Sequence, residues 1–155
     1  MQFNNTHFLI VDGYDDPGMA ELASVKATLA GEIYRRMMVS LFPGAGVDIL
    51  NISKSDRNPA SSVLPADYAA IVWTGSNMSI YDDAEFVPRH IDFCRAAFRA
   101  GTPQFGSCWA AQLAVVAAGG SCIANPKGRE FGFARKITLN EAGRNHPLYE
   151  GKPHA

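Results

Sequence analysis

The stretch PQFGSCWAAQ, residues 103–112, joins a short apolar piece to a Gly-Ser-Cys turn and then to a run of small residues. This order is typical of a nucleophile elbow, where a strand enters a sharp turn, the turn carries the reactive side chain, and a helix follows. Gly106 permits the tight turn and leaves space beside the sulfur. Cys108 is then predicted to start a helix, whose dipole and free N–H groups favour a thiolate. The N–H of Trp109 is predicted to point to where an oxyanion forms.

The alternative to a nucleophile elbow is an ordinary buried cysteine, which packs as a small hydrophobe after a core strand. The pattern of the rest of the chain helps to choose between the two. Short apolar runs alternate with helical patterns along the chain. Such alternation predicts an α/β fold, with a mainly parallel sheet covered by helices on both faces. The predicted strands are 7–11, 47–52, 68–73, 102–105 and, in a more exposed position, 131–139.

The helices are predicted from their caps and from apolar residues at helical spacing. Asp16 is predicted as the N-cap of the first helix, with Pro17 at its first helical position. Gly119 and Gly120 are predicted to end the helix that follows Cys108. Helical spacing is found over 22–37, 87–98 and 109–118.

Length and composition exclude several classes of protein. At 155 residues, 47% of them apolar, the chain is predicted to form a single domain with a sizeable core. Its net charge of −1 gives no basic footprint for nucleic acid, and no run approaches the ~20 apolar residues of a membrane helix. Three cysteines without metal-ligand spacing, and a first segment without signal-peptide character, predict a cytoplasmic location.

Three turns are predicted to meet at one edge of the sheet. Ligands gather at the carboxyl ends of parallel strands, and the turns at 12–13, at 74–76 and at Cys108 all follow predicted strands. Gly75 is well suited to offer its N–H to an anionic oxygen, although a simple turn glycine fits the position equally well. The sequence has neither a Gly-x-Gly-x-x-Gly motif nor a phosphate loop, so nothing in it supports nucleotide binding.

Several motifs, in this order, carry a family resemblance. Residues 106–112 correspond to the elbow pattern Gly-x-Cys-x-Gly-x-Gln, and residues 74–77 to a Gly-rich oxyanion loop, with Ser-Ile-Tyr-Asp following at 79–82. The stretch 119–132 resembles a segment that follows the nucleophile in the same family. The chain resembles a class I glutamine amidotransferase domain, of the stand-alone type similar to the amidotransferase part of GMP synthase. The likeness covers nearly the whole chain and implies a flavodoxin-like class I amidotransferase fold.

The resemblance implies hydrolysis of the side-chain amide of glutamine. Cys108 would be the nucleophile, and the N–H groups of Gly75 and Trp109 would form the oxyanion hole. Gln112 matches the family glutamine that contacts the substrate. Attack on the amide releases ammonia, and water then releases glutamate from a thioester. The implied partners are glutamine and a synthetase domain or subunit that accepts ammonia, and neither a cofactor nor a metal is implied.

The sequence departs from the family in two places. Ala110 stands where the family has a glycine, and its methyl group either crowds the turn or tightens the helix packing. The family's downstream acid–base pair, a His-x-Glu, has no counterpart in this sequence. We therefore expect residues 1–155 to be the N-terminal part of a longer amidotransferase domain, and this chain alone to be inactive. The histidines, each predicted to have another role, are His7, His90, His146 and His154.

Three alternatives remain open on the sequence. One is a different cysteine enzyme on a related sheet, such as a γ-glutamyl hydrolase or a DJ-1-like protein. Another is a catalytically incomplete domain that binds glutamine or a partner subunit without turnover, which the missing His-x-Glu favours. The third is a flavodoxin-like binding module, for which Asp12 at the end of the first strand is the one hint. An acidic residue there is also a common helix cap.

Overall fold

Four parallel strands form the sheet at the centre of the fold. A computed structural model describes residues 6–54, 59–128, 133 and 138–152. The strand order is β2-β1-β3-β4, and each neighbouring pair is parallel. Of the strand predicted over 131–139, the structure describes residues 133, 138 and 139, which are not in a strand, and the other six lie outside the described residues. The described strands are β1 (His7–Asp12), β2 (Gly46–Asn51), β3 (Ala70–Trp73) and β4 (Gln104–Gly106).

Helices connect the strands and follow the last one. The helix after β3 ends at Gly101, which has a φ of 69° and so occupies the left-handed region that favours glycine. Short 3₁₀ turns lie at Pro59–Ser62, Pro65–Asp67 and Pro147–Tyr149. The α-helices of the described residues are α1 (Asp16–Ser24), α2 (Ala30–Leu41), α3 (Phe86–Ala100), α4 (Trp109–Ala117) and α5 (Glu141–Arg144).

The first helical stretch differs from the sequence prediction in its cap and in its continuity. Asp15, and not Asp16, is the N-cap of α1, because its carboxylate accepts a backbone N–H from the first turn. The helical spacing over 22–37 spans two helices, because α1 ends at Ser24 and α2 begins at Ala30. Between them, Lys26 has a φ of 57°, which lies outside the helical region. Val25 is 71% exposed, so the apolar spacing at this point does not mark a buried face.

The side chains of the central strand alternate between two apolar layers. Leu9 and Val11 of β1 belong to the layer that includes the inner residues of α3 and α4. Phe8 and Ile10 belong to the opposite layer, which includes Met38 of α2. One layer thus contains α3 and α4, and the other contains α2. The predicted α/β architecture, with a parallel sheet and helices on both faces, is therefore confirmed.

The chain divides into two compact units, Met1–Ile123 and Ala124–Ala155. The first unit contains the sheet and the four longer helices, and it carries every feature of the candidate site below. In the second unit, Asn140 caps α5 by accepting a hydrogen bond from Gly143 N at 2.8 Å. In the part of the chain that the structure describes, no helix has the length and apolar character needed to cross a membrane.

Candidate active site

Cys108 occupies a sharp turn between β4 and α4, at the carboxyl edge of the sheet. Its φ of 59° and ψ of −120° match the first central position of a type II′ turn, where glycine is usual. Ala110 N donates to Ser107 O at 3.1 Å and closes the turn. Holding a residue with a Cβ in such a conformation costs on the order of 1–3 kcal/mol. The predicted strand–turn–helix geometry is therefore confirmed, and Cys108 is exposed at its apex.

The backbone of Gly75 faces this cysteine from the end of β3. A Cβ built on Gly75 would lie 3.8 Å from Cys108 Cβ and 4.0 Å from Cys108 Sγ. Both distances are ordinary van der Waals contacts, and the φ of Gly75 lies outside the left-handed region. Neither strain nor collision therefore requires glycine at this position. The missing side chain instead leaves open the space directly beside the sulfur.

Hydrogen bonds join the turn after β1 to the turn after β3. Gly13 N donates to Thr74 Oγ1 at 2.9 Å, and Ser76 Oγ donates to Gly13 O at 2.7 Å. A Cβ on Gly13 would lie 2.8 Å from Gly75 O, which is closer than real Cβ contacts. It would also lie 3.2 Å from Cε3 of the Trp109 indole. Close packing therefore requires glycine at position 13. The predicted meeting of the turns at 12–13 and 74–76 with the start of α4, at one edge of the sheet, is confirmed.

Asp12 uses its carboxylate to hold the backbone. The side chain is buried, and its Oδ2 accepts from Gly31 N at 2.9 Å in the first turn of α2. Its Oδ1 accepts from Tyr14 N at 3.1 Å. Both carboxylate oxygens are thus engaged with backbone N–H groups. Asp12 is therefore not the N-cap of α1, which is Asp15, but it accepts a backbone N–H at the start of α2.

Gln112 reaches from α4 to the loop that follows β3. Its Oε1 accepts a hydrogen bond from Ile80 N at 3.3 Å, and the side chain is half-buried. In this position, Gln112 connects the helix that begins at the Cys108 turn to the segment after the Gly75 turn. The substrate contact inferred from the resemblance stays a prediction.

Ala110 fills a space that Gly106 leaves free. A Cβ built on Gly106 would lie 2.5 Å from Cβ of Ala110, so a side chain at position 106 and a methyl group at position 110 exclude each other. Ala110 is buried and belongs to the core layer of α3 and α4. The methyl group therefore packs beneath the turn. Of the two possibilities that the sequence left open, crowding of the turn or tighter helix packing, the structure supports the packing.

Trp109 is the first residue of α4 and is almost completely buried. As the first helical residue, it has an N–H without an intrahelical partner. Its indole lies against His90 of α3, with ring centroids 4.8 Å apart and planes at 86°. His90 is itself buried, and its Nε2 is hydrogen-bonded to Ser53 Oγ at 2.9 Å. Burial lowers the pKa of His90 to about 3, so the ring is neutral at physiological pH.

The sequence did not indicate that Ser53 and His90 would lie behind the turn that carries Cys108. The one available signal was spacing, since His90 follows Val87 by three residues and precedes Cys94 by four, on the apolar face of α3. That signal predicts burial but does not identify the neighbour. Ser53 carried no signal, because it stands two residues after the end of β2 in an unremarkable polar segment.

The other histidines belong to β1, to the second unit or to residues that the structure does not describe. His7 stands at the first position of β1, the end of the strand opposite to the turn, and its Nε2 lies 3.2 Å from Asp48 Oδ2. His146 belongs to the second unit, where its Nδ1 accepts from Leu148 N at 3.2 Å. His154 is not among the described residues. Within the described parts of the chain, no side chain is hydrogen-bonded to Cys108 Sγ.

Curated relatives resemble the chain in sequence. A gamma-glutamyl-L-1-hydroxyisopropylamide hydrolase from a Pseudomonas species is 38% identical over 101 residues, which cover 63% of this chain and 34% of the hydrolase. A glutamine-hydrolyzing GMP synthase from Streptomyces avermitilis is 36% identical over 95 residues, which cover 61% of this chain and 16% of the synthase. The chain thus spans about a third of the hydrolase's length and a smaller part of the synthase's.

The fold has a counterpart among solved structures, although no protein-family model matches the sequence. A glutamine amido transferase from Methylobacillus flagellatus superposes with a TM-score of 0.55 at 20% sequence identity, over 79% of this chain and 43% of that one. At this identity the likeness shows the fold, which is the flavodoxin-like fold of class I amidotransferases. In sequence, this chain is therefore similar to a hydrolase named for a γ-glutamyl amide and to a glutamine-hydrolyzing GMP synthase, and in fold it is similar to a glutamine amido transferase.

Proposed function

We propose that this protein hydrolyses a γ-glutamyl amide, with Cys108 as the nucleophile and glutamine as the first substrate to be tested. The observation that carries the proposal is the position of Cys108, exposed at a strained turn with the side-chain-free backbone of Gly75 beside its sulfur. Strain of this kind persists where the surrounding structure enforces it, and it is concentrated at functional sites.

The proposed reaction has two steps. In the first, Cys108 Sγ bonds to the γ-carbonyl carbon, the proton of the thiol passes to the amide nitrogen, and the carbon–nitrogen bond breaks, so that the nitrogen leaves as ammonia from glutamine or as an amine from an N-alkylamide. In the second, water adds to the thioester carbonyl, the carbon–sulfur bond breaks, and glutamate leaves with the thiol restored. Each step passes through an oxyanion, which the N–H groups of Gly75 and Trp109 would stabilise. Gln112 would contact the substrate from the first turns of α4.

The two relatives suggest different forms of the same substrate class. The hydrolase is named for a γ-glutamyl amide that carries an alkyl group on nitrogen, and the synthase for glutamine. Both are γ-glutamyl amides, so the chemistry at the carbonyl is shared and only the leaving group differs. With glutamine, the ammonia would pass to a synthetase domain or subunit. The three cysteines are free, which supports a cytoplasmic location.

The test compares two substrates and two variants. Purified protein is incubated with glutamine or with a γ-glutamyl N-alkylamide, and released glutamate is measured. Because no His-x-Glu is present and general acid–base help is worth about 10²–10⁴-fold, we expect release from at least one substrate to be slow, and this slow release to be lost in Cys108→Ala and Cys108→Ser. Release that survives Cys108→Ala would overturn the proposal.

A second measurement tests binding without turnover. A diazoketone analogue of glutamine is offered to the protein, and labelled peptides are identified by mass spectrometry. Labelling of Cys108 with no glutamate release from either substrate would support the alternative of a domain that binds glutamine but does not hydrolyse it.

A further inference from the structure

Trp109 is enclosed on two sides by residues from other elements. On one side lies Gly13, where a Cβ would stand 3.2 Å from Cε3 of the indole. On the other side lies the ring of His90, with centroids 4.8 Å apart and a nearly perpendicular orientation. The indole is therefore fixed between the turn after β1 and helix α3. Since the indole and the backbone N–H belong to one residue, contacts that hold the indole also restrict the movement of the N–H.

His90 is itself fixed by a third element. Its Nε2 is hydrogen-bonded at 2.9 Å to Ser53 Oγ, which belongs to the segment after β2. Ser53 and His90 are both completely buried. A chain of contacts thus runs from the end of β2 through α3 to the first residue of α4, directly behind the nucleophile turn.

The polar character of His90 is not explained by packing alone. In the described residues, His90 Nδ1 and Trp109 Nε1 are buried atoms without a hydrogen-bond partner. A buried polar atom without a partner costs about 1–3 kcal/mol, a cost that an apolar ring of similar size would avoid. An orientational role accounts for the polar ring, because the bond to Ser53 sets the rotation of the imidazole and the imidazole sets the position of the indole.

We propose that His90, held by Ser53, is a positioning residue that fixes the N–H of Trp109 where an oxyanion forms beside Cys108. This inference rests on the proposed function, because it assigns a task to the oxyanion site. A neutral ring suits the task, because it fills the space behind the turn without placing a charge there. Its effect is expected on the transition state more than on substrate binding, since an oxyanion donor acts only when the charge develops.

The experiment compares three variants of the purified protein in the hydrolysis assay. Ser53→Ala removes the partner of His90 and keeps its ring, and His90→Phe keeps a flat ring without the hydrogen bond. Cys94→Ala is the matched control, because Cys94 is a buried residue of the same helix whose thiol is hydrogen-bonded to Gln104. For Ser53→Ala and His90→Phe we expect kcat to fall about tenfold while KM changes less than about twofold. For the control we expect a lower melting temperature and an unchanged kcat.

A labelling ratio separates positioning from general damage to the fold. The rate at which the diazoketone analogue of glutamine labels Cys108 is divided by the rate for iodoacetamide, which needs only an accessible thiol. The ratio should fall in Ser53→Ala and His90→Phe and stay at the wild-type value in Cys94→Ala. Wild-type kcat and a wild-type ratio in folded Ser53→Ala and His90→Phe would overturn the inference.

If the proposed hydrolysis is wrong, the assays give results that differ from those expected when only the inference about His90 is wrong. If Cys108 is labelled by the diazoketone but neither substrate is hydrolysed, the proposed hydrolysis fails and the labelling ratio alone decides the role of His90. If the wild-type protein shows neither hydrolysis nor labelling by the diazoketone, no oxyanion site exists at Cys108. The inference about His90 then falls together with the proposed function.

Discussion

Gly75 faces Cys108 so closely that a methyl group on its Cα would lie 4.0 Å from the sulfur. This contact is loose enough for the folded protein to accept the methyl group. A γ-carbonyl that is attacked by the sulfur has to occupy the same region, because reacting atoms approach to about 3–3.5 Å. A side chain at position 75 is therefore compatible with the fold but not with a substrate carbonyl bound beside the sulfur.

Replacing Gly75 with alanine should reduce activity without reducing stability. We expect kcat for γ-glutamyl amide hydrolysis to fall at least about tenfold, because the methyl group displaces the carbonyl from the sulfur. The free energy of unfolding should change by less than about 0.5 kcal/mol, since no close contact is created. Gly13→Ala is the comparison for stability. Its Cβ would meet Gly75 O at 2.8 Å, so stability should fall by about 1–3 kcal/mol.

Replacing Cys108 with glycine should stabilise the protein. The φ of 59° and ψ of −120° at this position favour glycine, so Cys108→Gly relieves strain and is expected to raise the free energy of unfolding by about 1 kcal/mol. Cys108→Ala keeps a Cβ and should leave stability near the wild-type value. Chemical denaturation of the three proteins gives the comparison. Equal stabilities for the glycine and alanine variants would show that the turn is not strained.

Iodoacetamide should modify Cys108 first and Cys94 last. Cys108 is exposed, Cys122 is half-buried and Cys94 is buried. Burial also raises the pKa of the Cys94 thiol to about 11, so very little of it is the reactive thiolate at neutral pH. Mass spectrometry of peptides after short exposures gives the order. Faster labelling of Cys94 would be incompatible with the described core.

Stability should depend on pH through His90. The folded protein holds its pKa at about 3 against 6.5 in the unfolded chain, so between these values the unfolded chain binds a proton that the folded chain does not. The contribution to the unfolding free energy therefore falls as pH falls from 6.5 toward 3, by at most about 1.4 kcal/mol per pH unit. His90→Phe should remove this part of the slope, whereas Cys94→Ala should keep it. If the unfolding free energy of wild type and of His90→Phe changed equally with pH, the lowered pKa of His90 would be refuted.

The architecture was predictable because its signals are local. An apolar run between turn residues predicts a buried strand wherever it occurs, and the four strands of the described residues lie within a few positions of the predicted ones. The break between α1 and α2 was missed for the same reason. Apolar residues such as Val25 keep helical spacing across the break, and spacing cannot report that Val25 is exposed.

The candidate site was predictable only where its parts are contiguous in sequence. The turn at Cys108 could be predicted because the glycine, the cysteine and the following helix stand within a few residues of one another. The contact of Ser53 with His90 joins residues 37 positions apart, and its position behind Trp109 depends on how α3 packs on α4. Packing of this kind is a property of the tertiary structure, and no local pattern encodes it.

The bonds between the turn at Gly13 and the turn at Thr74 have a consequence for how the protein folds. These groups are 61 residues apart in the chain, whereas the turn that carries Cys108 is built from its immediate neighbours. Local contacts form early, and contacts across long loops form late because loop closure has to be overcome first. A partly folded chain can thus present the thiol before the opposing wall of its site exists. Oxidants and electrophiles would meet an unguarded cysteine in that interval, so the native pairing of β1 with β3 also limits when this residue is vulnerable.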